Sequence, residues 1–195
     1  MRLLEVLIPT YGRPQSAAKA IESVLACQDD RISVRCNANG YEPTLEKYRA
    51  VDDRVVYDCF PENKGAHANG LFLLNSADAK FCMLLSDEDR LCSFSSTQFL
   101  DYLDGLGEEV VTVSCSIYDR VAEKYYFMPN KRLVSRHLDI NDFLMFNPIP
   151  SYISGLVFRT SELKALDLNA LLNPSVGNAY GHLDILLILL KKGIL

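Results

Sequence analysis

Four short apolar runs recur through the first ninety residues, and what lies between them limits the chain to few folds. The runs are "LLEVLIP" (3–9), "RISVRC" (31–36), "RVVYDCF" (54–60) and "KFCMLL" (80–85). After the first, Pro14 suits an opening helical turn, and Ala17, Ile21, Val24 and Leu25 recur at helical spacing. Between the third and fourth, "KGAHANGLFLLNSA" reads as a second helix. Repeated strand–helix–strand units of this length imply an α/β fold with a mainly parallel sheet and right-handed crossovers. At 195 residues the chain makes one domain with a substantial core, spanning 1–195.

Beyond residue 90 the pattern loosens. "STQFLDYLDGLG" reads as a helix stopped by Gly105 or Gly107, and "EVVTVSCSIY" (109–118) as a strand that "KYYFM" (124–128) pairs with as a hairpin. "INDFLMF" suggests a short helix, "GLVFR" (155–159) a strand and "SELKAL" a helix. A last helix is expected over roughly 181–192, ending at "KKG", and the apolar "IL" after that cap suggests a truncated polypeptide.

The formal net charge of −5 argues against non-specific binding to nucleic acid, and no basic run offsets it. Six scattered cysteines without a CxxC pair suit a reduced, cytoplasmic protein; Cys36, Cys59, Cys82 and Cys115 fall in or beside strand-like runs and are expected to act as small core residues. No signal peptide opens the sequence, and "ILLILL" (185–190) is too short to span a membrane, although peripheral contact with the inner face stays open.

Ligands of open parallel sheets bind beyond the carboxyl ends of the strands. Four polar loops follow strands here: "PTYGRP" (9–14), "NANG" (37–40), "PENKG" (61–65) and "SDED" (86–89). Asp87, Glu88 and Asp89 at the end of a buried strand repel one another and resist desolvation unless compensated. A hard divalent cation on two carboxylates, completed by diphosphate oxygens, would supply that compensation. Neither GxGxxG nor GxxxxGK[ST] is present, so dinucleotide and P-loop sites are unsupported.

In this order the motifs resemble those of the family-2 glycosyltransferases, inverting enzymes of the GT-A fold: "IPTYGRP", then "AIESVLAC", "NANG", "ENKGAHANG" and "LLSDEDRL". The resemblance covers 3–91 well and 150–193 loosely. It implies a nucleotide-sugar half over about 1–91 and an acceptor-side half over about 92–195. It also implies that Pro9, Thr10, Tyr11, Arg13, Asn37, Asn39, Lys64, Asp87 and Glu88 bind a nucleotide-diphosphate sugar, with Arg13 near the diphosphate. Asp87 and Asp89 would carry Mn²⁺ or Mg²⁺, Asp89 most directly and Asp87 toward the ribose. The donor would be a UDP- or dTDP-sugar and the acceptor a glycan or lipid-linked hydroxyl, as in polysaccharide synthesis. Two positions depart from the family: Ala38 stands where an acid usually reads the base, and Gly12 replaces an Asn.

Inverting transfer needs a base for the acceptor hydroxyl. The family places an acid at the start of a late helix, and "AYGHLDILLILLKKG" matches that segment, with His182 in the slot and Asp184 two residues on. Residues two apart on a helix diverge by roughly 200°, so both cannot easily face one cleft. A neutral imidazole near pH 7 makes His182 the first choice for the base, ahead of Asp184, whose carboxylate is nearer the family's usual chemistry. Two other functions remain in play: a non-catalytic binder of sugar nucleotides or a partner, and a nucleotidyltransferase, for which "PTYGRPQS" is short of glycine.

Overall fold

The computed structural model describes residues 1–92, 96–108, 110, 112–114, 117–119, 124–126, 153–171 and 181–191. Strands β1 (Leu4–Thr10), β2 (Ile32–Ala38), β3 (Val55–Cys59) and β4 (Phe81–Leu84) are mutually parallel. Strand β8 (Leu156–Arg159) runs antiparallel to β4, and β5 (Thr112–Ser114) pairs antiparallel with β8. The sheet order is β3-β2-β1-β4-β8-β5. The expected strand over 109–118 is divided: β5 joins the main sheet, while β6 (Ile117–Asp119) pairs with β7 (Lys124–Tyr126) in a separate two-stranded sheet. The hairpin expected with 124–128 therefore forms from the second half of that segment only. The expected helix at 140–146 and Cys115 lie outside the described residues.

Side chains alternate between two apolar layers, as a pleated strand requires. Leu4, Val6 and Ile8 of β1 face helix α1 (Pro14–Leu25) and helix α4 (Ser96–Asp104), meeting Ala17, Ile21, Val24, Leu100 and Leu103. Leu7, with Leu84 and Phe158, lies in the other layer with helix α3 (Ala66–Ser76) and helix α7 (Gly181–Lys191), through Leu73, Leu74, Ile185, Leu186 and Leu189. A short helix α2 (Lys47–Val51) precedes β3, and α5 (Thr160–Lys164) and α6 (Leu168–Leu171) follow β8. Sequence periodicity did not show α2 or α6; each holds about one turn, too little for a repeat to show.

Strands β2 and β3 are entered through matching turns. In "DDRI" (29–32) the Asp29 carboxylate accepts the Arg31 N–H at 3.0 Å and pairs with its guanidinium; in "DDRV" (52–55) Asp52 does the same for Arg54, the N–H bond being 2.9 Å. Arg54 also donates to the Leu25, Cys27 and Asp29 carbonyls, closing the exposed end of α1. An open recess lined by Gln28, Asp30, Val51 and Arg54 lies at this amino-terminal rim, opposite the loops singled out by sequence.

Candidate active site

All four parallel strands end at one rim, which brings Thr10, Ala38, Cys59 and Leu84 with their loops to the same side of the sheet. Asp87 sits at the centre of that rim, 1% exposed. Its Oδ2 accepts the Thr10 hydroxyl at 2.7 Å and Arg13 Nε at 3.1 Å. Arg13 Nη2 stands 2.7 Å from Oδ1, and Nη1 stands 2.7 Å from Glu88 Oε1. The positive charge that makes the acid corner tolerable in this structure is thus a guanidinium, half exposed above the pair. Oδ1 of Asp87 is buried and no donor meets it with hydrogen-bond geometry.

Asp89 is partly buried and accepts the Ser154 hydroxyl on Oδ2 at 2.6 Å. Ser154 belongs to the 3-10 turn Ile153–Gly155 that leads into β8. Because β8 is antiparallel, its first residue lies at the rim where β4 ends, and continuing the Met83↔Val157 register brings Ser154 level with Ser86. The Ser86 N–H accordingly donates to Ser154 Oγ at 2.9 Å. The sequence reading held Ser154 only within "PSYISG" (150–155), matched to an acceptor-side loop, and did not tie it to Asp89, 65 residues away.

Asn37, fully buried, donates from Nδ2 to Asn69 Oδ1 at 2.8 Å, and Asn69 Nδ2 returns a bond to the Asn37 carbonyl at 3.1 Å. Asn37 Oδ1 has no hydrogen-bond partner. Asn69 was quoted only as part of a motif, yet it fastens α3 to the ends of β1 and β2, because Nδ2 also reaches the Thr10 carbonyl at 3.4 Å. Asn39 is buried and its Oδ1 accepts the Lys64 N–H at 2.8 Å. Lys64 thus joins the rim through its backbone, and its ammonium lies 4.7 Å from the centre of the Phe60 ring. That is a cation–π contact.

Tyr11 is 59% exposed, and its ring lies against Gly40, where an added Cβ would stand 3.5 Å from Cε2. Gly12 has φ of +65°, a left-handed conformation that Gly and Asn tolerate best. Pro9 and Ala38 continue β1 and β2 opposite Asn37 and Thr10. Of the cysteines, Cys36 lies beneath the rim. Burial pushes its thiol up, and the nearby Asp87 and Asp58 carboxylates add to the shift. Cys82 is buried and pushed up to about 12, mainly by burial. Cys59 corrects the expectation of a core residue: it is exposed at the end of the edge strand β3.

His182 and Asp184 both lie in the first turn of α7. His182 is buried and continues the stripe of Ile185, Leu186 and Leu189, whereas Asp184 is half-buried on the flank. Among the described residues no three His, Cys, Asp or Glu side chains gather as a metal cage, and no helix is long and apolar enough to cross a membrane.

No protein-family model matches the chain. Abequosyltransferase RfbV of Salmonella typhimurium is 22% identical over 205 residues, covering 95% of this chain and 60% of the relative. The chain therefore spans about 60% of the length of that curated relative. Among solved structures, S. aureus TarS 1–349 superposes with a TM-score of 0.64 at 16% identity over 95% of this chain and 54% of that one. The same protein in complex with UDP-GlcNAc gives 0.65 at 14% identity, over 95% and 52%. Mannosyltransferase PcManGT from Pyrobaculum calidifontis, in complex with GDP-Man and Mn²⁺, gives 0.59 at 13% identity, over 86% and 47%. With its sheet order and these likenesses, the chain has the GT-A-like fold of glycosyltransferases.

Proposed function

We propose that this chain is the catalytic domain of an inverting glycosyltransferase that moves a sugar from a nucleotide-diphosphate donor to a hydroxyl of a glycan or lipid-linked acceptor. The observation that carries the reading is Asp87: a carboxylate buried at the carboxyl rim of a GT-A-like sheet, held by the Thr10 hydroxyl and the Arg13 guanidinium beside two further acids, Glu88 and Asp89. Solved neighbours bound to UDP, UDP-GlcNAc and GDP-Man support a nucleotide-sugar donor. A cytoplasmic location, with peripheral contact to a membrane face carrying the acceptor, is part of the same reading.

The donor atoms at the corner suit a divalent cation. Asp87 and Asp89, with Glu88 between them, offer hard carboxylate oxygens, and Mg²⁺ is usually held by one or two such protein ligands plus phosphate oxygens. When bound there, Mn²⁺ or Mg²⁺ would neutralise charge building on the departing diphosphate. Thr10 and Arg13 hold Asp87 in place, and the Arg13 fork is also near enough to the corner to orient phosphate oxygens. Tyr11 offers an exposed ring face to a base, and Asn37 and Asn39 line the second loop where the family's acid is replaced. We place the base in the first turn of α7. Asp184 takes precedence over His182, because the imidazole belongs to the buried stripe and the carboxylate stands on the flank. It takes the proton of the acceptor hydroxyl as that oxygen attacks the anomeric carbon and the bond to the nucleoside diphosphate breaks.

Calorimetry with UDP, dTDP, GDP and CMP, each with and without Mn²⁺, tests the reading. Metal-enhanced binding of one diphosphate, with slow hydrolysis of its sugar ester, is the expected result. Binding without any turnover would favour a non-catalytic domain, and no binding would overturn the proposal.

A further inference from the structure

The two acids of the corner are held by opposite kinds of partner. The Asp87 carboxylate meets the Arg13 guanidinium, whereas the Asp89 carboxylate meets the neutral Ser154 hydroxyl, with the Arg90 guanidinium on the Asp89 backbone carbonyl. That hydroxyl also has a defined direction. Ser154 Oγ accepts the Ser86 N–H at 2.9 Å, and its single hydrogen is committed to Asp89 Oδ2 at 2.6 Å. Ser154 itself is 9% exposed and anchored by the turn that begins β8, so little rotamer freedom remains to it.

We propose that Ser154 is a positioning residue for Asp89. It fixes the carboxylate through Oδ2 so that Oδ1 is presented to the divalent cation, and in doing so it ties the acceptor-side half of the chain to the cation site. The assignment rests on the cation reading above. Outer partners of this kind orient a ligating carboxylate without touching the metal, and their loss typically costs about 10- to 100-fold in metal affinity.

The test measures Mn²⁺ uptake in the presence of UDP, from the electron paramagnetic resonance of free Mn²⁺, for the wild type, Ser154→Ala and Ser154→Thr. Calorimetry of UDP without metal and thermal unfolding run alongside. Ser154→Ala should weaken Mn²⁺ binding about 10-fold, leave metal-free UDP binding unchanged and remain folded. Ser154→Thr, which keeps the hydroxyl, should bind Mn²⁺ much as the wild type does. Wild-type Mn²⁺ affinity in Ser154→Ala overturns the assignment. So does an equal loss of metal-free UDP binding, which would mark a slackened rim, or a Thr variant as weak as the Ala one. If the wild type takes up no Mn²⁺ with UDP, the cation reading itself fails and the assignment falls with it.

Discussion

Thr10 and Asp87 are 77 residues apart in the chain, yet the threonine hydroxyl donates to Asp87 Oδ2 at 2.7 Å. They meet because β1 and β4 are parallel neighbours in register and both chains leave the sheet at the same rim. Thr10→Val would keep the volume and remove the donor, leaving a buried carboxylate oxygen to Arg13 alone. We expect a stability loss of about 1–3 kcal/mol in urea unfolding and weaker UDP binding, with Thr10→Ser close to wild type.

Asn69 serves three partners at once: the Asn37 amide, the Asn37 carbonyl and the Thr10 carbonyl. Asn69→Ala strands buried polar groups at the ends of two central strands. Unfolding free energy should fall by about 2 kcal/mol, and nucleotide affinity should fall with it, since Thr10 and Asn37 would no longer be held. Asn69→Ala with wild-type stability would show that the pair is ornamental.

If Asp184 is the base, Asp184→Asn should lower kcat by about 100-fold or more while leaving the Kd for UDP within error. The same measurement on His182→Gln should show a smaller kcat loss and lower thermal stability, as expected for a side chain in the buried stripe. The reverse ordering would return the base to His182.

The Asp52–Arg54 turn gives a pH dependence whose sign is fixed. The Arg54 guanidinium holds the Asp52 carboxyl below its ordinary 3.8. A lowered carboxyl adds stability above its unfolded-state value and loses it as pH falls through the folded one. Asp52→Asn should therefore be less stable than wild type at pH 7, on the order of 1 kcal/mol, and the gap should close below about pH 4. Arg54→Ala should lose more at neutral pH, because the carbonyls of Leu25 and Cys27 lose a donor as well.

The first half of the fold was legible because strand and helix signals there alternate at short range, and the four rim loops follow from where parallel strands must end. The acid corner was legible as a problem of unbalanced charge, but its partner was not. Arg13 stands in the first loop, and only the pairing of β1 with β4 brings it to Asp87 and Glu88. Ser154 was hidden for the same reason, since the antiparallel entry of β8 beside β4 leaves no spacing in the sequence. The Phe60 ring beside the Lys64 ammonium was not legible either, because nothing in the sequence reports which way a loop lysine turns. The twin "DDR" turns were in plain view, but their meaning rests on backbone N–H bonds that composition does not encode.

The insertion of β8 beside β4 sets a timetable for synthesis. On the ribosome β4 is complete at Leu84, but the strand that covers its outer edge starts only at Leu156. At about 5–20 residues per second the nascent four-stranded parallel half waits roughly 4–14 s with that edge uncovered. During that interval a second nascent chain could zip onto it, so slow translation of the intervening stretch should favour misassembled material over the monomer.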